Sequence, residues 1–594
     1  MTKITKKYDF VVVGGGMSGI CTAIAAARHG VKTALVQNRS VLGGNASSEI
    51  RVHVNGAARG GEFKNAIESG IVLELLMANK KVNPQYSYYV WDNVLWEKAN
   101  FQENLDLYLN THMFCAETKD NKIKSVKCVQ TNTETEFTFE AEMFADTTGD
   151  ATLAYIAGAD YTVGHEARDT FGESLAPIEA DENVMGSTII FSTKDMGRPV
   201  PFKRPQWAYE FTEEMLGSRK FNEFSHGYWW IELGDAEINT IYDGEFIHNE
   251  LLKYIYGVFD FMKNSGKYPL DNYVIDWIGS IPGKRESRRV YGDYMLNQND
   301  IDSSARHKDA IAYGGWTMDD HSVGGIRSTG KENEGTIWHP INDIYTIPYR
   351  CIYSRNIENL FVGGRALSAS HMAMSSSRVM ATLSVVGQAI GTAVSFAIDK
   401  KITPREVGEK YISELQQALI KDDCYLPGIP VCDKKDLVSN LDCKISSSSS
   451  LDIGKATNIN GEYARRVEEV QNAWISNEIS ENGEWIEVKF PKLVKIKDMI
   501  LRFDPNFSAT IIPTQQIKRI QKQVPEMPFE LVRDYDLIFM QNGKEIKTVQ
   551  NLDNFQRVNK FNFDNSVECD AVKILVKTTY GDKHARIFDV RAYE

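Results

Sequence analysis

Between Tyr8 and Gly19 the chain reads YDFVVVGGGMSG, a short apolar, β-branched run that ends in glycines. Gly14, Gly16 and Gly19 stand at G-x-G-x-x-G spacing directly after a predicted strand. Ile20 to His29 is alanine-rich and predicts a helix. Lys32 to Gln37 (KTALVQ) predicts the next strand. Strand, glycine turn, helix and strand in this order seat a dinucleotide pyrophosphate on a helix N-terminus. Gly14 makes the tight turn, Gly16 lets backbone approach phosphate, and Gly19 lets helix pack on strand; Ser18 lies in the same turn. The second strand usually ends in a carboxylate that accepts hydrogen bonds from the adenosine ribose. Here Gln37 takes that place, followed by Asn38 and Arg39. A glutamine oxygen can accept without the charge, and Arg39 is a candidate phosphate contact. The departure weakens the case for NAD more than the case for a cofactor held by many other contacts.

Three further segments argue for FAD. Leu42 to Asn45 (LGGN, with Gly43 and Gly44) follows the second strand, and Arg51 lies close behind it. Ala145 to Asp150 (ADTTGD) contains Thr148, Gly149 and Asp150. Asn359 to Arg365 (NLFVGGR) predicts a buried strand ending at Gly364 and Arg365. It leads through Ser375 to Arg378 (SSSR), including Ser377, into a long small-residue helix, Val379 to Ile398. Together the segments span residues 8 to 400 and resemble the FAD-dependent oxidoreductase family, distantly related to the fumarate reductase and succinate dehydrogenase flavoproteins. The resemblance implies a Rossmann-type α/β FAD-binding domain in two parts (1–160 and 336–400) around an inserted α+β substrate domain (161–335). In it LGGN approaches the flavin side of the pyrophosphate, ATGD-like sequence returns to the cofactor sheet, and the late helix points at the flavin ring. Arg51 and Arg378 stand near these motifs, as partners for the reduced flavin or the pyrophosphate.

The chain has 594 residues, enough for about three to four domains. A net charge of −13 argues against nucleic acid and anionic membrane as partners. Val379 to Ile398 lacks charge and is long enough to span a bilayer. Its Thr382, Ser384, Gln388 and Thr392, and its place after a motif-bearing strand, read instead as a buried helix of the cofactor domain. Met1 to Lys7 is polar, so a cytoplasmic location is expected if Met1 is the native start. The eight cysteines include no C-x-x-C pair, so no metal is indicated.

Residues 401–444 read as a helical connector, and the polar run Ser446 to Ser450 marks a boundary. Beyond it, Trp485 to Phe490, Ile496 to Phe503, Tyr535 to Phe539, Val572 to Val576 and Ala585 to Ala592 alternate as short strands. They predict an all-β sandwich over 445–594. A tryptophan before the first alternating strand, the LRF strand and the terminal RIFDV resemble discoidin-like, galactose-binding-type domains. That resemblance implies a glycan partner; a packing or homo-oligomer-forming appendage is the alternative.

Four histidines are candidates for a base near neutral pH. His371 lies between GGRALSAS and the long helix, where it is expected to face the isoalloxazine. His321 sits in MDDHSVGG, His339 in GTIWHPIND and His53 in EIRVHVNG. Arg285 to Arg289 (RESRR) is the densest basic run. Arg288 or Arg289 could bind an anionic substrate group; equally, Glu286 could pair with Arg289 on a solvated face. Trp229 and Trp230 could stack on a sugar ring or pack in a core. Three functions compete. One is oxidation of a carbohydrate hydroxyl, with redox-assisted glycoside cleavage as a variant. The second is reduction of an activated double bond in a carboxylate substrate, as in the fumarate reductase relatives, where an arginine acts as proton donor and the arginine cluster would hold the carboxylate; Arg289 is the catalytic candidate in that cluster. The third is a non-enzymatic glycan-binding protein.

Overall fold

The computed structural model describes residues 1–58, 62–328 and 335–594. They form two compact units. The first comprises Met1–Arg59, Gln85–Leu415 and Ile512–Lys522; the second comprises Gly60–Pro84, Gln416–Ile511 and Gln523–Glu594. This division differs from the expected one. The second unit begins at Gln416 rather than at 445 and includes residues 60–84, while 512–522, which lie in sequence between two of its strands, belong with the first.

The first unit is built on a five-stranded sheet in the order Leu360–Val362, Met143–Asp146, Phe10–Val13, Thr33–Val36, Leu105–Tyr108. Every neighbouring pair is parallel. The first four are buried along their whole length, as in a parallel sheet covered on both faces, and their runs of valine, leucine and phenylalanine suit that place. The register sets Val13 beside Val36 and Asp146, and Val362 beside Asp146. The glycine-bearing loops after three strands therefore leave the sheet at one edge, where open α/β sheets bind their ligands.

The first helix runs Met17–Arg28, three residues earlier than expected, because Gly16 is already extended and serves as its N-cap. The long helix is Met380–Lys400. By length and composition it could cross a membrane, but it is buried inside the unit. Its glycines explain the fit: a Cβ at Gly387 would lie 2.2 Å from the Ser18 carbonyl oxygen, and one at Gly391 2.2 Å from that of Thr22. A short helix, His371–Ser377, precedes it and was not foreseen; Ser370 caps it by accepting from the Ala373 N–H at 3.2 Å. Residues 161–335 carry both helices and short strands. The helix Gly244–Asn264 buries Ile247, Leu251, Ile255 and Val258 in a core shared with Phe191, Trp230 and Leu233.

The second unit is mainly β, with a seven-stranded antiparallel sheet. The expected strands 485–490 and 496–503 are one continuous strand, Glu484–Phe503, with a register shift between Lys489 and Val494. The LRF and RIFDV segments are joined by charge. Arg502 pairs with Asp589 and, at 3.1 Å, with Asp423; Arg557 reaches Asp423 at 2.9 Å; Arg591 reaches Asp589 at 2.6 Å and Asp436 at 3.0 Å. All these side chains are buried. Breaking such a group strands a charge out of water, at about 3–5 kcal/mol. Asp423→Asn should therefore shift the chemical unfolding transition of the second unit strongly. Lys583→Ala, which removes an exposed pair with Glu478, should move it by less than about 1 kcal/mol. Equal shifts would show that the buried ion pairs do not hold this unit.

Candidate functional site

A cavity of about 860 Å³ opens where the parallel strands end. Gly14, Gly16, Ser18, Gly43, Gly44 and Asn45 line it. A Cβ at Gly14, which has φ +107°, would lie 2.4 Å from the Thr147 carbonyl, and one at Gly19 would lie 1.9 Å from the Gly14 oxygen. At Gly16 it would meet nothing within 4 Å. Gly14 and Gly19 thus serve turn and packing, while Gly16 keeps the cavity side clear. The helix that starts here has no side-chain cap and no acidic residue in its first turn, so its N-terminal amides and dipole favour an anion. Arg39, Lys284 and Arg365 line the same cavity. Among the described residues, Arg365 Nε and Arg378 Nε have no hydrogen-bond partner. Cleared backbone, open amides and guanidinium groups fit a pyrophosphate.

The expected cofactor residues take distinct places. Gln37 lines the cavity, yet its oxygen accepts from the Gly15 N–H at 2.8 Å and its amide nitrogen donates to the Val41 carbonyl at 3.2 Å. It braces the glycine loop, which a neutral amide does through both ends. Asn38 lines the cavity beside it. Ser18 Oγ accepts from the Gly364 N–H at 3.0 Å, tying the first glycine loop to the last. Thr148 bonds Asp146 at 2.7 Å, and Gly149 lies under the Arg365 guanidinium. Asp150 pairs with Lys284 at 2.6 Å and Arg365 at 2.7 Å. Burial opposes its ionisation, but these cations outweigh it and hold the carboxyl at about 2. Asn45 donates to the Lys284 carbonyl at 2.9 Å. Gly19, Arg51 and Ser377 are not on the lining. Arg51 stacks over Trp277 at 3.9 Å, and Ser377 is buried in the short helix.

The catalytic candidates separate. His321 lines the cavity. Its Nδ1 lies 2.8 Å from Glu232 and its Nε2 3.3 Å from Asp319, and its ring meets Trp229 edge-on at 5.7 Å. Arg285 pairs with Glu232 at 2.8 Å and Arg378 with Asp319 at 3.3 Å. Burial would raise both carboxyls. Arg285 and His321 outweigh it at Glu232, as His321 and Arg378 do at Asp319, so both are held below the usual range. His53 and His226 also line the cavity; burial holds His53 well below neutrality and His226 down to about 4, so both are uncharged.

His371 does not line the cavity. It is the first residue of the unforeseen helix, with Nδ1 3.0 Å from Glu286, Nε2 3.2 Å from Asp320, and its own N–H bonded to Glu166 at 2.8 Å. Burial opposes its charge, yet Glu286 and Asp320 prevail and push the imidazole up to about 10. Arg289 is likewise off the lining. It is wholly buried, pairs with Glu286, and reaches Glu166 at 2.6 Å. The Glu286–Arg289 pair is therefore present, but in the interior rather than on a solvated face. Arg288 stacks on Tyr155 at 3.9 Å. His339 lies on strand Thr336–His339 and is off the lining, where its neighbour Trp338 takes the place.

The sequence reading missed Glu232, Arg285 and Asp319 as a group, because side-chain contacts between segments far apart in the chain bring them together. It also missed Gln516, Lys518 and Arg519, which line the cavity. One signal was available: Asp504 to Asp534 is a long interruption between predicted strands, and connections beyond about 12–15 residues are usually functional or disordered.

The glycines yield a prediction. Gly16→Ala should leave the apoprotein's melting temperature nearly unchanged while weakening dinucleotide binding, because its methyl enters only ligand space. Gly387→Ala should lower the melting temperature of the apoprotein itself. A loss of fold in Gly16→Ala would show that this glycine serves packing instead.

Comparison with known proteins agrees with this geometry. The pattern of the FAD dependent oxidoreductase family matches residues 9–419. A 240-residue stretch is 28% identical to the tRNA uridine 5-carboxymethylaminomethyl modification enzyme MnmG of Streptococcus gordonii, covering 37% of this chain and 35% of that protein. The chain thus matches about a third of that relative's length. Over 44 residues it is 46% identical to glutathione reductase of Schizosaccharomyces pombe, 7% of this chain and 10% of the relative. Among solved structures it is similar to the family 32 carbohydrate-binding module of NanJ from C. perfringens, in complex with galactose. The identity is 14% over 27% of this chain and 98% of that one, with a TM-score of 0.20. A fucose-binding module of Streptococcus pneumoniae gives 12% identity over 26% and 96%, also with a TM-score of 0.20. Glycine turn, parallel sheet and a family match over more than two-thirds of its length agree, and the chain belongs to the FAD-dependent oxidoreductase family.

Proposed function

We propose that this oxidoreductase oxidises a hydroxyl-bearing carbon of a carbohydrate or glycoside, with His321 as the base. FAD, when bound, supplies the two-electron acceptor. The observation that carries the reading is the Glu232–His321 contact of 2.8 Å on the wall of a cavity also lined by Trp229, Trp230, Trp316 and Trp338. Indole faces suit the apolar faces of a sugar ring. Glu232 holds the ring through Nδ1; in the base form Nε2 gives up its contact with Asp319 and takes the substrate hydroxyl proton. Asp319, 3.3 Å from that nitrogen, stabilises the imidazolium that forms. Oxidation next to a glycosidic carbon would acidify the adjacent C–H and permit redox-assisted cleavage as a variant of the same chemistry.

One observation favours a second reading. Arg219, Lys220, Lys518 and Arg519 also line the cavity, so a carboxylate substrate with an activated double bond is accommodated electrostatically. Arg289, the candidate from the arginine cluster, is buried elsewhere, which weakens it.

Anaerobic mixing with a panel of sugars and glycosides should bleach the flavin. Reoxidation of prereduced protein by an enoate, with no bleaching by any sugar, would favour the reductase instead. His321→Ala should slow flavin reduction by about 10²–10⁴-fold with FAD retained. Glu232→Gln should slow it less, because it removes orientation and not the base. Reduction of His321→Ala at the normal rate would place the base elsewhere, with His53 next.

A further inference from the structure

Behind the cavity wall lies a second cluster that the redox reading does not use. His165, His371 and Asp320 each present a ligand atom, and the three atoms lie within 4.8 Å of one another. The imidazole rings are in contact, with centroids 3.7 Å apart. We propose that His165, His371 and Asp320 form a binding site for a divalent first-row transition metal ion.

The ligand set is the first argument. Two imidazoles and one carboxylate suit zinc, iron, manganese or cobalt and disfavour magnesium and calcium, which take oxygen ligands. The orientation of the rings is the second, independent argument. His165 Nδ1 is held by Asp181 at 2.7 Å and His371 Nδ1 by Glu286 at 3.0 Å. Each ring thus has its Nδ1 fixed by a carboxylate, and at His371 the metal would take the place of the Nε2 proton that now faces Asp320; carboxylate–histidine–metal relays are built this way. His371 Nε2 is already 3.2 Å from Asp320. Ligand bonds of about 2.0–2.2 Å demand neighbouring ligand atoms roughly 3–3.5 Å apart; the His371–Asp320 spacing already meets this, and the His165 ring must turn to bring its own atom from within 4.8 Å to that distance. The third argument is charge. Asp181, Glu166, Glu286 and Asp320 surround the site, and Arg289 and the protonated His371 ring offset part of that. A divalent cation compensates the remainder. His165 and Asp320 keep some exposure, with side chains 14% and 16% accessible, so water can reach a fourth position.

The site is distinct from the cavity. On strand Met318–His321, Asp319 and His321 line the cavity and Asp320 does not. A metal there would anchor this strand from the side opposite the base.

The test uses the full-length flavoprotein, stripped with EDTA and checked for retained FAD. Calorimetric titration with Zn²⁺, and separately with Mn²⁺, should show one saturable equivalent. His165→Ala and Asp320→Asn should abolish it with FAD still bound. Asp181→Asn, which touches no metal, should weaken affinity about 10–100-fold while preserving stoichiometry. Absence of saturable binding to the unmutated protein would overturn the proposal, and this arm does not depend on any variant folding. So would a stoichiometric site that survives both ligand substitutions. The readout is independent of substrate, so it stands or falls separately from the carbohydrate reading.

Discussion

Close backbone approach around Gly19 is the constraint on which the first unit depends. A methyl there would sit 1.9 Å from the Gly14 oxygen, and one at Gly387 would sit 2.2 Å from Ser18. The first helix is therefore squeezed between the glycine turn and the long buried helix, with backbone rather than side chains at the contacts. This fixes where the helix N-terminus points. The Ser18 bond to the Gly364 N–H then locks the last strand's glycine turn to the first. Segments far apart in sequence meet at one sheet edge because no side chain holds them apart. The cavity inherits its shape from that meeting.

Chemistry carried by local pattern was legible in the sequence. The glycine spacing, the β-branched run and the small-residue helix each read out a backbone requirement, and they located the cofactor domain and the glycine-bearing part of the cavity wall. Helix ends shifted by a few residues because the extended conformation at Gly16 begins the first helix earlier than its alanine content suggests. The same kind of reading placed the LRF and RIFDV strands, and the Arg502–Asp589 pair shows why both carry a charge in an otherwise apolar run. Each charge exists to meet the other.

What sequence could not show was the partner of each charge. Histidine position was inferred from distance along the chain to the glycine motif, which says nothing about which way a side chain turns. Ser370 caps a helix that begins at His371, and that helix carries the ring toward Glu286 and Asp320 rather than toward the cavity. Glu232 was invisible as a site residue, since it meets His321 only across the fold. Gln516, Lys518 and Arg519 were hidden differently. They sit between strands of the β unit in sequence, and only the contacts of 512–522 assign them to the first unit.

Two short motifs illustrate how the fold sorts charges that composition lumps together. MDDH lies on a strand, so successive side chains leave opposite faces. Asp319 and His321 go to the cavity with Arg378; Asp320 goes to His371. RESRR divides as well: Arg285 joins Glu232 and the cavity group, while Glu286 and Arg289 join His371 and Glu166. The two runs are thus interleaved into two ionic groups on either side of one strand. One holds the candidate base and the other braces the strand from behind. Asp320 and His321 are adjacent, and the His321 N–H bonds the Asp320 carboxylate at 2.8 Å, so the rear group is joined directly to the backbone that carries the candidate base.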